Sequence, residues 1–72
     1  MTTQGRDLKT GDTIEVWWAP KRDTITRIEK YQGSYQDHAD WQGVRIAYFA
    51  ILQGGMTIFP HDLFERVAQA NP

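Results

Sequence analysis

Six polar side chains carry whatever chemistry this chain could perform: Ser34, Asp37, His38 and Asp40 in one stretch, and His61 and Asp62 further on. Asp37, His38, Asp40, His61 and Asp62 offer oxygen and nitrogen donors for a divalent metal. Such a centre needs three or four side chains converging at about 2.0–2.2 Å. The spacing Asp37-His38-Ala39-Asp40 matches no recognised ligand pattern. It reads instead as an exposed polar turn, with Asp37 or Asp62 capping local backbone donors. Ser34 is the only serine and shares its stretch with His38 and Asp40, a nominal nucleophile, base and orienting group. Three residues in one loop have no rigid element behind them to hold catalytic geometry. The chain has no cysteine, so it has no thiolate nucleophile, no sulfur ligand and no disulfide. The expectation is a non-enzymatic protein with no catalytic residue, no metal and no cofactor.

The aromatic residues are the stronger signal. The 72 residues include three Trp, three Tyr and three Phe. A domain this small buries only about 60% of its unfolded surface, so its core cannot hold them all. Trp18, Tyr48 and Phe64 are expected inside. Trp17 falls on the opposite face, beside Glu15. Tyr35 and Trp41 lie in or beside a polar stretch from Gln32 to Gln42. One reading is an aromatic platform for a peptide, a single-stranded nucleic acid or another subunit. The other is that each tryptophan covers the edge of an undersized core. On the first reading the partner-binding face is Trp17, Tyr35, Trp41 and Pro60.

Eight basic and nine acidic residues give a formal charge of −1. No strong field steers polyanions. Nucleic-acid binders draw most of their affinity from phosphate neutralisation. A nucleic-acid alternative would rest on Lys21, Arg22, Arg27 and Arg45, but Asp23 and Glu29 interrupt that stretch and it reads as a solvated face. The longest apolar run, Ile46 to Leu52, is far too short to span a bilayer. Met1 to Asp7 lacks the apolar centre of a signal peptide. These features lead to the expectation of a soluble, cytoplasmic protein.

The elements that must position these residues read as strands. Lys9-Thr10-Gly11-Asp12 is a turn that launches an alternating strand, Thr13 to Trp18, with Ile14, Val16 and Trp18 on one face. Ala19 to Asp23 turns the chain. Thr24 to Tyr31 is β-branched, and Ile25 and Ile28 share a face only if a bulge near Thr26-Arg27 intervenes. After the loop of residues 32–42, a strand from Val44 to Leu52 is apolar on both faces. Val44, Ile46, Tyr48 and Leu52 point one way, Phe49 and Ile51 the other. The second face implies self-association through Phe49 and Ile51. Gln53-Gly54-Gly55 is a hairpin turn whose glycines supply positive φ. Met56 to Phe59 is the fourth strand, Pro60 to Leu63 one helical turn, and Phe64 to Val67 a fifth strand pairing back to the first.

The run Thr57-Ile58-Phe59-Pro60-His61-Asp62-Leu63-Phe64-Glu65-Arg66-Val67 resembles the closing segment of Src-homology-3-type barrels. There a strand ends in an aromatic-proline pair, one helical turn follows, and a last strand completes the barrel. The resemblance implies an all-β fold, a five-stranded antiparallel small barrel. It also implies a peptide groove to which Trp41, Pro60 and Phe64 would contribute. The tyrosine motif of that family's first strand has no counterpart in Asp12 to Trp18.

Met56-Thr57-Ile58-Phe59-Pro60, followed by Leu63, Glu65 and Arg66, is similar to the ending of plasmid-borne, trimethoprim-resistant dihydrofolate reductases. Those enzymes form tetramers around a central pore and bind cofactor and folate through Val-Gln-Ile-Tyr. Here Met56-Thr57-Ile58-Phe59 lacks the amide and the hydroxyl, so the resemblance implies the scaffold without the activity. An oligomeric enzyme with a site at a symmetry axis is a third function class on this ground. Gly11–Trp17, Arg22–Thr26 and Gly54–Ile58 resemble segments of short proteins from phages and bacterial mobile elements.

The expected organisation is a flexible N-terminus (1–8), one small barrel domain (9–67) and a C-terminal tail (68–72). The expected function is a non-enzymatic protein-binding or assembly module, an accessory protein of a phage or mobile element. Its partner would be a protein, a peptide or a second copy of the chain.

Overall fold

The structure, a computed structural model, describes residues 1–69. Six strands form: β1 (Thr2–Gln4), β2 (Thr13–Glu15), β3 (Arg22–Lys30), β4 (Arg45–Phe49), β5 (Gly55–Ile58) and β6 (Leu63–Ala68). Two single 3-10 turns, Gly5–Asp7 and Ala39–Trp41, are the only helical elements among the described residues. Every pairing is antiparallel, and the strands make one sheet in the order β1-β6-β2-β3-β4-β5. The all-β expectation holds. The sheet curls without closing, and β1 and β5 remain as edges. No helix of the described residues is long and apolar enough to cross a membrane.

The sixth strand is the main departure from the sequence reading. Residues 1–8 are part of the fold, not a flexible end. Thr3 pairs with Phe64, and Arg66 N–H donates to Met1 O at 3.0 Å. Gly5 N–H donates to Asp62 O at 2.7 Å and Arg6 N–H to Pro60 O at 3.0 Å. A Cβ at Gly5 would collide with the Phe59 carbonyl oxygen, so only glycine permits this approach. Leu8 is 1% exposed and belongs to the core. Thr-Thr-Gln shows no apolar alternation because an edge strand of this length is held by backbone pairing, which composition does not encode. At the other end, Ala68 closes β6, and residues 70–72 of the expected tail lie outside the described residues.

Several local expectations are met. The last strand pairs back on the Thr13–Glu15 strand, with Ile14 opposite Arg66. The bulge in β3 is present: Ile25 pairs with Phe49 and Arg27 with Tyr48, leaving Thr26 as the extra residue. It turns Ile25 into the core and brings Ile28 against it. Of the two glycines expected to supply positive φ in the β4–β5 turn, Gly54 does, at 85°, while Gly55 opens β5 instead. Others need correction. β2 ends at Glu15: the Val16 N–H still bonds to Lys21 O in step with the β2–β3 register, and the chain then turns, with Lys21 N–H donating to Trp18 O. Residues 60–63 form no helix; Asp62 N–H reaches Phe59 O at 3.2 Å in a plain turn.

The core is Leu8, Ile14, Ile25, Val44, Ala47, Phe49 and Ile58. Trp18 and Phe64 are half-buried against it, while Tyr48 sits on the other face of β4 with the Arg27 guanidinium 4.1 Å from its ring centre. Phe49 is 6% exposed, so it is an interior residue and offers no self-association face. Ile51, 51% exposed, lies past the end of β4 and does not continue its alternation. The cause is Asp23, whose carboxylate accepts the Ile51 and Leu52 N–H groups and bends the chain there.

Candidate functional site

The long loop between β3 and β4 is a chain of tight turns. Gln36 N–H bonds to Gly33 O, His38 N–H to Tyr35 O at 2.9 Å, and Trp41 N–H to His38 O at 3.0 Å. The Gln42 side-chain amide spans the loop to the Gln36 and His38 carbonyls. Aromatic rings tie it to the sheet. Trp41 packs on Tyr31 at the end of β3 (ring centres 4.8 Å apart), on Tyr35 within the loop (5.1 Å, stacked) and on Phe59 after β5 (5.0 Å). Each such pair adds about 0.5–1.5 kcal/mol beyond its buried area. The pairs with Tyr31 and Phe59 hold this loop against the domain, and the pair with Tyr35 stiffens the loop itself.

The ordered loop creates a cleft of about 840 Å³. Tyr31, Trp41 and Ile28 supply its apolar surface, with the buried Leu8 and Val44 behind them; Lys9, Lys30, Glu29 and Asp37 supply charge. One side comes from the Leu8–Thr10 segment, which the sequence reading left out of the site. Arg45 joins the two sides by donating to the carbonyls of Gly5 and Leu8, the latter at 3.0 Å.

Of the four residues expected on a partner face, only Trp41 lines the cleft. Trp41 is the hub. Tyr35 stacks on it and is 49% exposed. The Pro60 ring lies beside Gly43 and lines a second depression with Phe59, His61 and Asp40. Trp17 stands apart, 76% exposed, its ring edge-on to Trp18 at 5.3 Å. It borders a separate, mainly apolar hollow of about 310 Å³ with Val16, Trp18, Met56 and Phe64, and Glu15 lines it too. Tyr31, Phe59, Lys9 and Lys30 are site residues that the sequence reading missed. The available signal was that aromatics bracket the loop at both ends, Tyr31 and Tyr35 against Trp41.

The basic residues of the nucleic-acid alternative do not assemble. Arg45 is spent on backbone carbonyls. Arg27 lies over Tyr48 and pairs with Glu29 at 3.4 Å. Lys21 Nζ donates to Trp17 O at 2.8 Å, and Arg22 is an exposed residue opposite Glu15. Among the described residues no three His, Asp or Glu side chains gather as a metal centre. His38 packs edge-on against Tyr35, and His61 lies 4.0 Å from Asp62 at the surface.

The strongest electrostatic feature is structural. The Asp23 carboxylate is 2% exposed and accepts the Trp18 indole N–H at 2.8 Å, the Thr24 N–H at 2.9 Å, and the Ile51 and Leu52 N–H groups. Burial pushes this carboxyl up, but the donors from Leu52, Trp18, Ile51 and Thr24 together outweigh it and hold it below the ordinary value. The second buried acid, Asp12, lies 3.6 Å from the Arg66 guanidinium and accepts the Lys9 N–H at 2.9 Å, which joins β6 to the turn before β2. No protein-family model, curated protein or solved structure matches this chain.

Proposed function

We propose that this chain is a non-enzymatic protein-binding module that receives an extended segment of another protein in the cleft beside Trp41. The observation that carries this reading is the cleft itself, with two aromatic rings on its floor and charges of both signs at its margin. Aromatic rings give large contact area at low entropic cost, and mixed rim charges select register. A net charge of −1 and the engagement of Arg45, Arg27 and Lys21 weigh against a phosphate backbone as the ligand. We further read β2 to β6 as a Src-homology-3-like barrel, opened between β5 and its start, with β1 added outside β6. The return of β6 to β2 and the Phe59–Asp62 turn support that reading.

The test is selection from a displayed random-peptide library against the full chain, followed by amide shift mapping. Selected peptides are expected to move the Tyr31, Trp41, Gly43 and Lys9 amides. Lys30→Glu should change affinity several-fold while leaving the circular dichroism spectrum intact. Peptides that map only to the Trp17 hollow, or no selection at all, would refute the assignment.

A further inference from the structure

β3 has nine residues and its neighbour β2 has three. β2 pairs with Arg22 to Thr24 only. Gly11 and Asp12 extend the contact to Ile25, through Gly11 N–H to Ile25 O and Ile25 N–H to Asp12 O, each 2.8 Å. On its other side β3 pairs with β4 as far as Lys30, and Tyr31 N–H donates to Val44 O at 3.1 Å just beyond. Residues of an antiparallel strand turn their backbone groups alternately to one neighbour and the other. The Tyr31–Val44 bond fixes the phase. Arg27, Glu29 and Tyr31 turn theirs to β4, and Ile28 and Lys30 turn theirs away from it. Among the described residues no backbone bond meets the N–H and C=O of Ile28 and Lys30 on that side. The Trp41 cleft lies there, lined by Ile28 to Tyr31 together with Lys9 and Thr10.

We infer that the partner segment binds as an added antiparallel strand on this free edge of β3, with an acidic residue opposite Lys30 and, two residues later, an apolar residue opposite Ile28. The inference rests on the cleft being a peptide site and adds the mode of pairing and the sequence read. Unpaired backbone groups in a row call for an extended backbone. Antiparallel pairing lets one ligand residue exchange both bonds with Lys30 and another both with Ile28, so two residues satisfy all four groups. β2 already meets the same edge in that direction. The side chains set the sequence. Ile28 and Lys30 share a face of β3, so the ligand residues opposite them point to that face too. Ile28 is half-buried and presents apolar surface, while Lys30 is exposed. Glu29 is engaged by Arg27 at 3.4 Å, and Arg45 by backbone carbonyls. Among the described residues Lys9, Lys30 and Asp37 have no ion pair, which leaves the cleft two cations against one carboxylate. A carboxylate opposite Lys30 completes a cross-strand pair of opposite charge.

The probes are the library-selected peptides that shift the Trp41 amide, bound to the full chain, with amide hydrogen exchange as the readout. In the free chain the Ile28 and Lys30 amides should exchange faster than those of Glu29 and Tyr31. Bound peptide should slow both at least about tenfold. N-methylation of the peptide's acidic or apolar residue should abolish binding, and N-methylation of the residue between them should be tolerated. Lys30→Glu should weaken binding at least about tenfold, and a peptide with lysine in place of its acidic residue should recover it, which a folding defect would not allow. Peptides that occupy the cleft yet leave Ile28 and Lys30 unprotected would overturn the inference and leave the cleft as the binding site. So would peptides that tolerate N-methylation at every position, or that carry no acidic residue two places before an apolar one. If no peptide enters the cleft, the proposed function and this inference both fall.

Discussion

Asp23 shows how one side chain sets the course of two segments. It sits on β3 and receives N–H groups from Ile51 and Leu52 and the indole N–H of Trp18. A buried carboxylate without a cation is costly unless several donors converge on it. Here they do, and the same bonds end β4 and fix the Trp18 ring. Because the folded carboxyl titrates below its ordinary value, the folded state holds fewer protons than the unfolded chain near that range. The resulting stability is complete above the unfolded value of about 4 and is lost as pH falls through the folded value. Asp23→Asn should cost about 2 kcal/mol at neutral pH. It should also flatten the acid side of the stability curve, which urea midpoints measured across that range would record. An unchanged acid limb would mean that another carboxylate governs it.

At the scale of elements, two glycines separate close approach from backbone conformation. Gly5 lies against the Phe59 carbonyl, where a side chain has no room. Gly54 has open space around it but φ 85°. Gly54→Ala should therefore cost about 1 kcal/mol through the left-handed backbone alone. Gly5→Ala should cost about 1–3 kcal/mol and displace the β1 segment from the turn after β5. Amide exchange distinguishes the two: faster exchange at Gly5, Arg6 and Leu8 is expected in the first position's variant only. The elements themselves were largely legible. β3, β5 and β6 lie within a residue or two of their expected places because β-branched runs bounded by glycine and proline define them. The bulge was legible because Ile25 and Ile28 could not otherwise share a face. β1 was not, since Thr-Thr-Gln carries no pattern and its partner is more than fifty residues away. Nor was the orientation of β4, where alternation alone put Phe49 outward.

For the whole molecule, size governs the balance. A domain of 72 residues has a net stability of roughly 4–11 kcal/mol, so each core residue is a large share of it. Leu8 fills that core from outside the β2–β6 region. Leu8→Ala should cost about 2–5 kcal/mol and leave a marginal fold, read as a large drop in thermal midpoint. A small effect would mean that residues 1–8 dock on a core complete without them. Leu8 also lines the Trp41 cleft, so core and candidate site share one segment, and the same loss of order should weaken binding there.

The sequence by itself determined the fold class, most strand positions, the bulge and the weight of aromatics around the long loop. These follow from local period, turn residues and composition, which neighbouring residues carry between them. Only the tertiary structure decided that the first eight residues belong to the fold, with Thr2–Gln4 in the sheet and Leu8 in the core, and that Phe49 faces inward. It alone separated Trp17 from Trp41 and committed Arg45 to backbone carbonyls. Each of these depends on which distant segments meet, and a backbone donor or a guanidinium has no preference for its acceptor until the fold brings one within reach.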